Sequence, residues 1–190
     1  MDERVRDLLS SASSGSFYIL QHNGPLSFTV GTAEATISHR VVIGEAHRCS
    51  CMTELPQRPC THVLFVLLKV FRVPPTSPLL LGRGLNDPQL DEVVMGRAPR
   101  RVRAQRGATR AGAATAPTWA ATTVRRAIGD DDDCPICMES LADESRGRLD
   151  WCRNGDGCGN SVHRRCLQVW GKHHRTIAAA ATPDAANSDC

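Results

Sequence analysis

Apolar and polar positions divide the first half of the chain into short extended segments followed by one continuous apolar run. "SFYIL" and "LSFTV" are rich in β-branched and aromatic residues and flank "QHNGP", so a hairpin turning near Asn23-Gly24-Pro25 is predicted. A third extended segment, "ATISHRVVIG", leads into "EAHRCSC". Pro59 then disfavours helical backbone at Arg58 and suits a helix edge, so "CTHVLFVLLKVFRV" is expected to be a helix from about Cys60 that stops before Pro74 and Pro75. Its apolar run, Val63 to Val73, carries Lys69 and Arg72 and is too short to cross a bilayer, so no membrane partner is expected.

Composition changes twice beyond this point. Residues 97–129 are rich in Arg, Ala, Thr and Gly with no acidic residue, and cysteines return after Asp130. The resulting organisation is a flexible amino terminus at 1–15, a first module at 16–95, an Arg/Ala-rich disordered linker at 96–129 and a second module at 130–190. Aromatic residues make up only 4% of the 190 positions, too few for one large core, so something besides burial is expected to hold these modules.

The nine cysteines are the candidates. "MDERVRDLLSSASSGSFYIL" has mixed charge and no apolar stretch of signal-peptide length, so the expected location is cytoplasmic or nuclear and the thiols are expected to be reduced. Clustered cysteines and histidines in a reducing compartment read as zinc ligands. In "HRCSCMTELPQRPCTH", Cys49 and Cys51 would point to one side if their backbone is extended. Cys60 and His62 would lie in the first turn of the helix, where the partial positive charge of the helix end favours a Cys60 thiolate. Four ligands from a strand end and a helix start make a closed, structural site. His47 is read as a surface histidine.

This Cys-x-Cys, Cys-x-His pattern, with its flanking strands, apolar helix, "PPTSPLL" and "GLNDPQLDEVV", resembles the SWIM zinc finger from about Ser16 to Val94. The second cysteine group, "CPIC" at 134–137 with Cys152, Cys158, His163 and Cys166, holds too many ligands for one zinc. With "WCRNGDGCGNSVHRRCLQVW" it resembles a RING domain, especially that of the MEX-type SWIM/RING ubiquitin ligases. By ligand order the resemblance implies one site of Cys134, Cys137, His163 and Cys166, and a second of Cys152, Cys158 and Cys190. The second lacks its last ligand, so a truncated RING cross-brace is expected, its second zinc held weakly, completed by His173 or His174, or absent. The fold class implied is small α+β, two zinc-stabilised modules joined by a disordered linker.

The resemblance also implies a function. A RING docks a ubiquitin-conjugating enzyme and favours ubiquitin transfer to a bound protein by proximity, with no nucleophile of its own. Ile136 and Trp170 would form the docking patch, and the SWIM finger would recruit the protein substrate. The alternative is a non-catalytic zinc module binding nucleic acid or protein. For this, eight arginines from Arg97 to Arg126 offer phosphate contacts, although Trp119 is the only aromatic there and Asp130 to Asp133 follow at once. "GRGLND" lacks the third glycine of a dinucleotide loop and reads as a turn. With the cysteines taken as ligands, no free thiol remains for a protease.

Overall fold

The computed structural model describes residues 3–14, 17–34, 37–51, 59–95, 125–142, 144–152 and 158–180. The expected hairpin forms from β1 (Phe17–Gly24) and β2 (Ser27–Thr32), closing over Pro25 and Leu26. β3 (Ser38–Val42) and the short β4 (Arg48–Cys49) extend it into an antiparallel sheet of order β1-β2-β3-β4, with Val41 opposite Cys49.

One face of this sheet covers the apolar helix. Ile19, Phe28, Val30 and Val41 are buried with Val63, Leu64, Phe65, Val66 and Leu67, each large side chain contributing about 1.5–3 kcal/mol by leaving water. The helix starts as expected: Cys60 is its N-cap, α2 spans Thr61–Phe65, and a π-helical stretch continues over Val66–Val70. Arg72 ends it in left-handed backbone at φ 58°, where glycine is usual, and the Val73 N–H returns to the Leu67 carbonyl at 3.0 Å. A further helix, α3, occupies 87–95. Asn86 and Gln89 begin it with a reciprocal capping box, each side-chain oxygen accepting the other's backbone N–H at 3.0 Å.

The amino terminus departs from expectation. Glu3–Ser13 forms helix α1 instead of a flexible segment, with Ala12 buried and Leu8 and Leu9 packed on the first core. Its apolar positions recur at helical spacing, which gives it a face to bury.

In the second module a tight knuckle runs from Asp133 to Ser140, closed by Cys134 N–H to the Glu139 carbonyl and Met138 N–H to the Cys134 carbonyl, both at 2.8 Å. β5 (Leu149–Trp151) pairs with β6 (Ser161–His163), and α4 (Arg164–Ala180) follows directly. Arg125 and Arg126, assigned to the linker by sequence, instead bond to this module: Arg125 Nε donates to Ser161 Oγ at 3.0 Å, and the Arg126 N–H to the Gly159 carbonyl at 3.0 Å. Ile128 packs on its core. The rest of the expected linker, 96–124, lies outside the described residues.

The architecture is thus small α+β with two Cys/His modules, and the modules touch. β1 is buried on both faces: Ile19 faces the first core, while Tyr18 and Leu20 belong to the second, with Ile136, Leu141, Leu149 and Val169. β1 is also a sheet edge, and the knuckle covers it: the Ile19 N–H donates to the Ile136 carbonyl at 2.6 Å.

Candidate metal centres

Two groups of side chains converge among the described residues. Cys49, Cys51, Cys60 and His62 form one; Cys134, Cys137, His163 and Cys166 form the other. Within each, one ligand atom from every residue lies within 4.8 Å of the rest.

In the first group β4 carries Cys49, and Cys51 follows in a turn instead of extended strand. The opposite pair comes from the N-cap and first turn of α2. His62 presents Nδ1, 3.8 Å from Cys49 Sγ and 3.9 Å from Cys60 Sγ. Phe17 meets the His62 ring edge-on at 5.1 Å and His39 lies at 4.4 Å, which holds the imidazole in place. Hydrogen bonding from the Cys49 thiol, joined by His62 and the Val63 N–H and opposed by burial, lowers the Cys60 pKa to about 3. The direction agrees with the thiolate expected at this helix end, and its largest cause is the neighbouring Cys49 thiol.

In the second group the knuckle supplies Cys134 and Cys137, the end of β6 supplies His163, and the first turn of α4 supplies Cys166. His163 Nδ1 stands 3.3 Å from Cys137 Sγ and 3.7 Å from Cys166 Sγ. The Cys137 and Cys166 thiols hydrogen-bond to Cys134 and hold its pKa far below the ordinary thiol value. The reciprocal interaction with Cys134 pushes Cys137 up to about 12.

These donor sets fit zinc. A tetrahedral zinc with Zn–S of about 2.3 Å and Zn–N of about 2.0–2.1 Å sets the S···N edge near 3.6 Å. The observed separations bracket that value. Three sulfurs and one nitrogen would fill a tetrahedral ion's coordination and leave no position for a reacting water, which is the donor arrangement of a structural site.

The remaining candidates are less gathered. Cys152 is half-buried and Cys158 exposed, and neither joins a metal-sized group among the described residues. Cys190 lies outside the described residues. His173 is buried, and His174 Nε2 faces the Leu20 carbonyl at 3.2 Å. His47, expected at the surface, is buried, and desolvation lowers its pKa to about 4.

The two residues of the inferred docking patch differ. Trp170 is 38% exposed and stacks near His174 at 4.0 Å. Ile136, expected to be exposed, is only 7% exposed and lies in the second core with Tyr18 and Leu20. The unbroken apolar run of "FYIL" is the sequence signal for this, because a strand covered on both faces loses its alternation. What it meets cannot be read from local pattern.

Other contacts between the modules carry no local signal. Lys69 Nζ meets Glu139 Oε1 at 2.7 Å, Arg72 pairs with Asp133, and Met138 reaches the first core. No helix among the described residues is long and apolar enough to cross a membrane.

No family model and no solved structure matches the chain. Over 172 residues, 87% of its length, the chain is 32% identical to the E3 ubiquitin-protein ligase Zswim2 of Mus musculus, of which it spans 26%. Its identity to the Homo sapiens E3 ubiquitin-protein ligase ZSWIM2 is 29% over 179 residues, spanning 27% of that protein. It is also 30% identical over 172 residues to Homo sapiens mitogen-activated protein kinase kinase kinase 1, spanning 11% of it. The chain thus spans about a quarter or less of these relatives. Similarity to the SWIM/RING ubiquitin ligases, read from the cysteine pattern, holds across most of the chain.

Proposed function

We propose that this chain is the SWIM/RING portion of a ubiquitin-protein ligase, in which zinc is structural at every site. The reading is carried by the second Cys/His group, built from the knuckle, the end of β6 and the start of α4, in a chain similar to named ubiquitin ligases.

Cys49, Cys51, Cys60 and His62 would hold one zinc, and Cys134, Cys137, His163 and Cys166 a second. Bound zinc supplies a cation that lets crowded thiolates coexist, with binding free energy on the order of 10 kcal/mol or more. Cys152, Cys158 and Cys190 are assigned to a further RING site.

The chain's part in transfer is placement. A ubiquitin-conjugating enzyme carrying ubiquitin as a thioester docks on the second module at a patch centred on Trp170 and Ile136. The aromatic anchor is suited to an interface hot spot. A lysine amine of a protein recruited by the first module attacks the thioester carbonyl; the C–N bond forms, the C–S bond breaks, and the enzyme's thiol departs. Both reactants are held together, so the barrier falls through proximity without a nucleophile from this chain.

A nucleic-acid role gains less support. Of the arginines invoked for it, the described pair Arg125 and Arg126 contact Ser161 and Asn160 within the second module. The test is discharge of ubiquitin from a charged conjugating enzyme to free lysine. The full chain is expected to accelerate discharge and the Cys134→Ser variant to lose that acceleration; equal rates with and without the chain would refute the ligase reading.

A further inference from the structure

We infer that β1 of the first module is an intramolecular competitor of the conjugating enzyme, so that the structure is the closed form of a ligase whose docking surface must be uncovered. This rests on the docking patch proposed above.

The contact engages the knuckle at Ile136 through both its side chain and its backbone. Tyr18 and Leu20, at 2% and 1% exposure, cover Ile136 and share its core with Cys137, Leu141 and Val169. The Ile19 N–H occupies the Ile136 carbonyl, so the knuckle's side chain and backbone are both engaged. The Leu20 carbonyl faces His174 Nε2 on α4, one turn beyond Trp170. Met138, two residues past Ile136, enters the first core. An incoming protein can reach Trp170 directly, and it can reach Ile136 only by displacing β1.

The rim of the same contact is the part that can be weakened alone. The first core relies on Ile19, Phe28 and α2, which Tyr18 and Leu20 do not join. Its rim is ionic and partly exposed: Lys69 with Glu139 at 22% and 44% side-chain exposure, and Arg72 with Asp133 at 39% and 20%. Such pairs are weakened by salt, whereas the apolar contact of Tyr18 and Leu20 with Ile136 is not.

Closure predicts a measurable tax on binding. If the open form is on the order of 10% of molecules, apparent affinity for the conjugating enzyme is reduced about tenfold. The test uses the full chain, zinc-loaded, with a conjugating enzyme charged with ubiquitin as the probe. Tyr18→Ser/Leu20→Ser removes the apolar cover, and Lys69→Glu breaks the rim without touching either core. Both are expected to bind the enzyme more tightly and discharge ubiquitin faster, by about tenfold for the double variant. Adding Glu139→Lys to Lys69→Glu should return the rate to that of the parent chain.

Equal or slower discharge by Lys69→Glu and the double variant, with zinc content unchanged and the parent chain active, would overturn closure while leaving the ligase reading intact. Failure of every form, parent included, to engage the enzyme would sink the ligase reading and closure with it.

Discussion

Replacing Gly84 by alanine should unfold the first module more readily than any other single-methyl addition among its described glycines. A Cβ at Gly84 would overlap the carbonyl carbon and oxygen of Glu45 and lie 2.9 Å from the Ala46 nitrogen. All three are backbone atoms, so no rotamer change relieves the clash. The two segments are held together by the His47 N–H to the Arg83 carbonyl at 2.7 Å and the Leu85 N–H to the Gly44 carbonyl at 2.9 Å. Forcing them apart breaks both bonds, at about 0.5–1.5 kcal/mol each. It also draws the buried Leu85 from its core, an overpacking cost of roughly 1–3 kcal/mol. The lower entropy of the unfolded alanine chain returns about 0.4–1 kcal/mol. The expected net loss is about 3 kcal/mol.

The assay is denaturant unfolding of the zinc-loaded chain, followed with occupancy of the Cys49 centre, which the 44–47 segment leads into. Gly147, with nothing within 4 Å of its Cβ position, is the control, and Gly147→Ala should change little. If Gly84→Ala unfolds within about 0.5 kcal/mol of the parent, the ordinary effect of a surface substitution, the close-approach reasoning is wrong.

Further expectations follow from individual contacts. Arg72→Gly should leave the end of the apolar helix, just past Val66–Val70, as stable or more stable by about 1 kcal/mol, because it relieves left-handed backbone, while removing the Asp133 ion pair. A clear loss of first-module stability on unfolding would contradict this. Trp170→Ala should weaken conjugating-enzyme binding by about 2 kcal/mol with zinc content unchanged, measured by titration calorimetry; unaltered affinity would remove Trp170 from the docking surface. Acidification should release zinc from both centres, since thiolate and neutral imidazole must be regained by protons, and metal release read by a chromogenic chelator should rise as pH falls. Metal retention independent of pH would argue against thiolate ligation.

The parts of this protein legible in its sequence are the locally encoded ones. The β1–β2 hairpin follows from turn residues between β-rich runs, and the start of α2 follows from Pro59. The first ligand group follows from the spacing of its Cys-x-Cys and Cys-x-His pairs, and the second from the ligand order that the RING resemblance implies. The misjudged parts depend on distant partners. Gly84 looks like a turn glycine, and its real constraint, the backbone of Glu45, is some forty residues away. Ile136 looks exposed within its knuckle, and it is buried by a strand more than a hundred residues earlier. His47 lies in a polar stretch and is nonetheless enclosed, with its backbone bonded to Arg83. The helical amino terminus was legible in principle, since Leu8, Leu9 and Ala12 share a helical face.

Zinc content per chain, measured on purified protein beside its Cys60→Ser and Cys134→Ser variants, tests the central claim most directly. The two gathered Cys/His groups predict that each variant loses one zinc and keeps the other. A parent chain free of zinc, or either variant with unchanged metal content, would contradict the account.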